Sequence, residues 1–369
     1  MSNTFDLIKE KLEKAAKGDR MMILSESENA APIVYIPTEA YDLNRILSGS
    51  LYHGVASRTH TLLVGPEASG KSSFMCLNLA AAQKMGYTPV VIDAEGAWTK
   101  KFCERWGIDT TRAFIISTPW VEEIMIELAK IIDEGWTRLA IAFDSIGAVE
   151  SLKMIDDVTG KGKRGEVVAD QGGLQKKIKR LMKMLVDITK RQDSVSYSAG
   201  HYYGNPTGYG EPEKIGGGFY PRLAADYIIT LKKALIHENP TAKTAAEKGD
   251  VVGTRIYAAT IKNRYAPPFQ EAVFEISYHN GVQRLAGIID VAKEMGIIDQ
   301  SGAWYTVPCL GIKSQGQGNL EKDLENVDIQ PLFDEIEKIL EGRGYSSAKD
   351  ELKVLADVVD GVTPTEVLS

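Results

Sequence analysis

The stretch that most limits how this chain can fold is THTLLVGPEASGKSSFMCLNLAAAQKMG, residues 59–86. An apolar segment runs straight into Gly65, four residues, then Gly70, Lys71 and Ser72, and helix formers follow as far as Gly86. Strand, glycine-rich turn and helix in that order are the context that separates a phosphate-binding loop from a chance cluster of glycines. The glycines let backbone N–H groups wrap toward phosphate oxygens, and the helix N-terminus adds a favourable dipole. Nucleotide contacts are therefore expected from Gly65, Pro66, Glu67, Ala68, Ser69, Gly70, Lys71, Ser72 and Ser73. Lys71 would reach the β- and γ-phosphates, and the Ser72 hydroxyl would ligate Mg²⁺. ATP and Mg²⁺ are the expected cofactors.

The same grammar continues along the chain. TPVVIDAE, RAFIIS and RLAIAFDS read as strands, with FCERWG and VEEIMIELAKIIDEG as helices between them. Apolar strands alternating with helices predict an α/β fold with a mostly parallel, doubly wound sheet. SVSYSAG, AADYIITLKKAL, TRIYAATIKN and AVFEISYH add later strands with fewer helices between them. After Asn280-Gly281 the pattern changes to a helix, RLAGIIDVAKEMG, and then to an acidic, partly helical tail. At the front, Phe5, Ile8, Leu12 and Ala15 recur at helical spacing and an extended segment follows. That helix either folds back on its own core or docks on a neighbouring subunit. The expected domains are residues 1–40, an assembly helix and tether; 41–283, the core; and 284–369, a small C-terminal domain.

Two strand ends carry carboxylates. Asp144 closes RLAIAF, where it would lie beside the loop and hold the magnesium with Ser72. Hydrolysis also needs a group that orients and deprotonates water. Asp93 and Glu95, two residues apart at the end of VVIDAE, both qualify on position alone.

The net charge of −7 excludes a chain that is basic throughout, but the charge is unevenly spread. Residues 153–191 hold eleven Lys/Arg against five Asp/Glu, and residues 321–369 hold five against thirteen. Cys76, Cys103 and Cys309 stand far apart with no metal-ligand spacing, which fits a reducing compartment such as the cytoplasm. No apolar run is long enough to cross a bilayer.

GPEASGKSS, VVIDAEGAW, AFDSIGAV, VVGTRIYAATIKNRYAPPF and DQSGAWY, in this order, resemble the RecA-type homologous recombinases, most nearly the phage UvsX-like branch. The resemblance covers roughly residues 18–310; the KNR-x-APPF block and GAWY are its most specific parts. It implies a RecA-like P-loop ATPase core, an N-terminal helix-plus-strand assembly element and a small α+β C-terminal domain. The implied activity is DNA-dependent ATP hydrolysis by a helical filament on single-stranded DNA that finds homologous duplex DNA and exchanges strands. A mediator protein and a single-strand-binding protein are implied partners, and the source would be a phage in a bacterial cytoplasm. In this resemblance Glu95 matches the catalytic glutamate, and Phe102 sits where an aromatic ring stacks on adenine. Thr99 stands where the family has an acidic residue, and Lys262 and Arg264 match cations that the adjacent subunit inserts at the γ-phosphate. His201 stands where the family usually has a γ-phosphate-sensing glutamine, and the UvsX-like branch resembles this chain in having histidine.

Two segments resemble mobile DNA-binding loops. In 154–173, Lys161, Lys163 and Arg164 would neutralise phosphates, with Gly172 and Gly173 at its end and Lys176 just beyond. Val167 and Val168 either wedge between bases or anchor the loop. In the following helix, Leu174, Ile178, Leu181, Leu185 and Ile188 form a core stripe. In SAGHYYGNPTGYGEPEKIGGG, Tyr202, Tyr203 and Tyr209 would offer faces to bases, and Gly216, Gly217 and Gly218 would allow close approach. Lys232 and Lys233 would add phosphate contacts. A RecA-fold ring helicase and a DNA-independent RecA-like signalling ATPase are the alternatives. The acidic tail either screens duplex DNA, meets a mediator or is a plain solvated helix.

Overall fold

The computed structural model describes residues 33–152, 171–204, 213–215, 219–239 and 248–343. The expected N-terminal helix and the tail beyond 343 lie outside them. In chain order the first elements are β1 (Tyr35–Ile36), α1 (Tyr41–Ser48), β2 (Val55–Ala56), β3 (His60–Val64), α2 (Lys71–Lys84), β4 (Thr88–Asp93) and α3 (Lys100–Arg105). Next come β5 (Phe114–Ser117), α4 (Val121–Glu134), β6 (Leu139–Asp144), α5 (Gln171–Arg191), β7 (Val195–Gly200), β8 (Tyr202–Gly204) and β9 (Glu213–Ile215). The rest are α6 (Tyr220–Ala224), β10 (Tyr227–His237), β11 (Val251–Lys262), β12 (Glu271–Ser277), β13 (Gly281–Gln283), α7 (Ile288–Glu294), β14 (Asp299–Ser301), β15 (Trp304–Val307), β16 (Ile312–Gln315), α8 (Gln317–Glu325) and α9 (Gln330–Gly342).

Nine strands form one sheet in the order β13–β12–β11–β10–β3–β7–β6–β4–β5. From β10 to β5 the six neighbours run parallel, and β10 to β13 form an antiparallel wing. The doubly wound expectation is met. Strand alternation feeds two cores: Leu63 enters one with Phe74 and Tyr197, while Leu62 and Val64 enter the other with Leu128 and Leu185. Continuous apolar strands such as LAIAFD are needed because helices cover both faces. β5 is different: it is the outer strand, and Phe114 and Ile115 are 63% and 52% exposed.

The stripe Ile178, Leu181, Leu185 and Ile188 is buried against α4, with Met182 beside it. α5 begins at Gln171, so Gly172 and Gly173 lie in its first turn rather than in the preceding loop. First-turn N–H groups have no intrahelical acceptor, so glycine costs less there than in mid-helix. The stretch expected to be a loop from Tyr202 onward also contains structure: β8 and β9 pair antiparallel, Tyr202 opposite Ile215.

A third core gathers Ile288, Ile289, Leu320, Phe333 and Ile336 from residues beyond β13, together with Leu51. β14, β15 and β16 form their own three-stranded sheet. Tyr41 and Tyr52 pack edge-on around Phe333, and the Glu337 carboxylate accepts the Leu51 N–H at 2.5 Å. Among the described residues no helix is long and apolar enough to cross a membrane.

Candidate nucleotide site

The parallel strands β3, β4, β6 and β7 all point their C-terminal ends at one rim, and the strand order reverses beside β3. Ligand clefts of open α/β sheets form at such a rim. Here the cleft has a volume of about 1100 Å³ and is lined by Lys71, Ser72, Glu95, Asp144, His201 and Lys233, among others.

β3 ends at Val64, and residues 65–70 turn into α2. A Cβ on Gly65 would fall 2.6 Å from the Leu231 carbonyl oxygen, so the loop passes too close to β10 for any side chain. Gly70 has φ +98°, and a Cβ there would also meet Ile256 at 2.6 Å. The Lys71 ammonium donates to the carbonyls of Gly65 at 3.0 Å and Pro66 at 2.7 Å. Burial lowers its pKa, and the carboxylates of Asp144, Glu95 and Glu67 oppose that shift. A buried cation hydrogen-bonded to neutral carbonyls, at the N-terminus of a 14-residue helix, suits an anion such as a phosphate.

Asp144 is buried, and burial raises its pKa; hydrogen bonds from Ser72 and Trp98 pull the other way. The Ser72 hydroxyl donates to Oδ2 at 2.6 Å, and the Trp98 indole N–H donates to the same oxygen at 3.0 Å. Among the described residues no group of three His, Cys, Asp or Glu side chains forms a metal cage of its own. One hydroxyl and one carboxylate beside a phosphate loop fit Mg²⁺, which keeps waters and takes most of its other ligands from substrate phosphates.

Asp93 and Glu95 separate cleanly. Asp93 is buried and accepts the backbone N–H groups of Gly96, Ala97 and Trp98 at 2.8, 3.2 and 3.0 Å. It holds the turn. Glu95 faces the cleft, takes the Ser145 hydroxyl at 2.5 Å and lies 3.6 Å from His201 Nε2. Phe102 packs edge-on against Trp98, ring centroids 5.6 Å apart, and its N–H is capped by the Thr99 hydroxyl.

A sequence model of the RecA N-terminal domain matches residues 4–283. The chain belongs to the RecA family. Protein RecA of Solidesulfovibrio magneticus is 30% identical over 335 residues, 89% of this chain and 87% of that one. Protein RecA of Oleidesulfovibrio alaskensis is 29% identical over 357 residues, 93% and 96% of the two chains. Protein RecA of Saccharopolyspora erythraea is 30% identical over 315 residues, 84% of each. The activity is that of a RecA-type recombinase, an ATPase that depends on DNA; neither the helicase nor the signalling alternative is favoured.

The cations matched to the RecA family's trans pair do not join the cleft of their own chain. Lys262 donates to the Ala225 and Arg222 carbonyls, and Arg264 pairs with the buried Asp226 at 3.2 Å. Asp226 also accepts the His60 N–H at 2.9 Å and the Lys190 ammonium at 2.8 Å. His60 opens β3 and the P-loop follows its end, so Asp226 and its cations sit at the opposite rim of the sheet. Five strand residues put roughly 16 Å between the two rims.

Of the residues matched to RecA DNA-binding loops, Lys161, Lys163, Arg164, Val167, Val168, Tyr209, Gly216, Gly217 and Gly218 lie outside the described residues. Lys176 is exposed on α5. Lys232 and Lys233 are adjacent on β10 and therefore face opposite ways. Lys233 lines the nucleotide cleft. Sequence reasoning missed Trp98, Ser145 and Asp226. No spacing signal reveals them, because each acts through a partner far away along the chain.

Proposed function

We propose that this chain hydrolyses ATP between neighbouring copies in a filament on single-stranded DNA and uses that filament for homology search and strand exchange. The observation that carries this reading is the separation of Lys71 and Glu95 from Lys262 and Arg264 by the depth of the sheet. Two half-sites on opposite rims meet only when copies stack head to tail, and such heterologous contacts propagate as rings or open helices. Hydrolysis then depends on assembly, and a cation supplied in trans is worth about 10³–10⁵ in rate.

In this reading the P-loop N–H groups and Lys71 bind the phosphates. Ser72 and Asp144 hold Mg²⁺, which when bound neutralises charge on the β- and γ-phosphates. Glu95, oriented by the Ser145 hydroxyl, positions the attacking water and takes its proton. His201 stands between Glu95 and the strand β8 that follows it, in a position to relay the state of the γ-phosphate to the DNA-binding segment. Asp226 aims Arg264 outward and links it through Lys190 to α5, the helix that follows the first DNA-binding segment. Residues 1–40 would supply the assembly contact, 41–283 the ATPase core and 284–369 the C-terminal domain. Histidine at 201 supports a place in the phage UvsX-like branch, working in a bacterial cytoplasm with a mediator and a single-strand-binding protein.

Mixing two defective proteins tests the arrangement. Glu95→Gln and Arg264→Ala should each hydrolyse ATP poorly on single-stranded DNA, and an equimolar mixture should recover turnover at interfaces that pair an intact Glu95 with an intact Arg264. A mixture no better than its parts would place all the catalytic groups in one chain and overturn the reading.

A further inference from the structure

Trp98 is tied down at three points. Its backbone N–H is held by Asp93 Oδ2 at 3.0 Å, its indole N–H donates to Asp144 Oδ2 at 3.0 Å, and its ring meets Phe102 edge-on. Asp93 and Asp144 are register partners on β4 and β6, so the residue bridges two strand ends at the bottom of the cleft. Ser72 and Trp98 donate to the same oxygen of Asp144, which fixes the carboxylate's rotation about its bond to the chain. Trp98 itself is only 6% exposed and is not free to swing away. A planar, two-torsion side chain fixed at both ends behaves as a spacer. One end of it defines where the carboxylate points, and the other defines where the Phe102 ring lies.

We propose that Trp98 is the positioning residue that couples the base end of the bound nucleotide to its magnesium end. Its N–H sets the Asp144 carboxylate, and its ring sets Phe102. The inference rests on the nucleotide site proposed above. Removing the N–H should weaken what magnesium adds to nucleotide binding and leave metal-free binding nearly intact. Removing the ring should in addition loosen the choice of base.

Calorimetric titration with a slowly hydrolysed ATP analogue, in excess Mg²⁺ and again in chelator, separates these effects. The proteins compared are the unaltered chain, Trp98→Phe, Trp98→Leu, and a chain carrying at position 98 the sulfur isostere of tryptophan, which keeps ring size but has no N–H. In chelator the Phe variant and the isostere should bind within about twofold of the unaltered chain, and the gain on adding Mg²⁺ should shrink by about tenfold, as expected for one hydrogen bond to a charged group. Trp98→Leu should also lose preference for the adenine over the guanine analogue. An undiminished Mg²⁺ gain in the isostere overturns the proposal. So does an equal loss with and without Mg²⁺, which would mark a purely structural side chain. If Trp98→Phe fails to fold, the isostere alone decides. Absence of any Mg²⁺ gain in the unaltered chain would instead remove the metal-site assignment, and the inference with it.

Discussion

Asp93 and Glu95 show what one residue's surroundings decide. Asp93 ends β4 and Glu95 follows two residues on, yet three backbone N–H groups occupy Asp93 while Glu95 faces the cleft beside Ser145. Glu95→Gln should therefore bind ATP, persist on DNA and lose about 10²–10⁴ in turnover, the range expected for a general base. Asp93→Asn should instead lower the melting temperature and the nucleotide affinity together. Lys71→Ala should abolish nucleotide binding in the same titration. The P-loop and Asp144 were legible in the sequence because their meaning is local: a glycine spacing, and a charge at the end of an apolar run. The hydrogen bonds Trp98–Asp144 and Ser145–Glu95 span 46 and 50 residues and depend on the register of β4 against β6, which no local pattern reports.

At the scale of elements, β3 carries a pH-dependent piece of stability. His60 is fully buried between the hydroxyls of Ser196 and Ser198, and burial pushes its pKa down to about 4. His53, stacked on Tyr35, is likewise pushed down to about 4 by burial. The unfolded chain takes up these protons near the ordinary 6.5, so the stabilisation is whole above that pH and is lost as pH falls toward 4. Melting temperatures should drop across that window, and His60→Gln should flatten the drop. Asp226 makes a different junction, joining the start of β3, the end of α5 and the end of β11 through His60, Lys190 and Arg264. Asp226→Asn should cut DNA-stimulated turnover more than it cuts nucleotide affinity in the absence of DNA; equal losses would mean that Asp226 only braces the fold. The strand–helix alternation was readable from apolar periodicity. The outer position of β5 was not, since FIIS reads like any buried strand until its neighbours are known.

For the molecule as a whole, the described chain beyond β13 is fastened to the core by the packing of Leu51, Tyr41 and Tyr52 with Phe333, by the Gln330–Tyr52 hydrogen bond at 2.8 Å and by the Glu337 carboxylate. Glu337→Ala leaves the buried Leu51 N–H without that acceptor and should cost about 1–3 kcal/mol. Calorimetric melting should then show the transition lowered or divided in two.

The tethering of Trp98 also has an optical consequence. Of the five tryptophans, Trp136 and Trp304 are about half exposed, Trp106 and Trp120 are intermediate, and Trp98 alone is buried. An indole that donates to a carboxylate emits according to that carboxylate's charge and orientation. The molecule thus carries its own lamp in the cleft, and a change in tryptophan emission that is lost in Trp98→Phe would report filling of the site in the unlabelled protein.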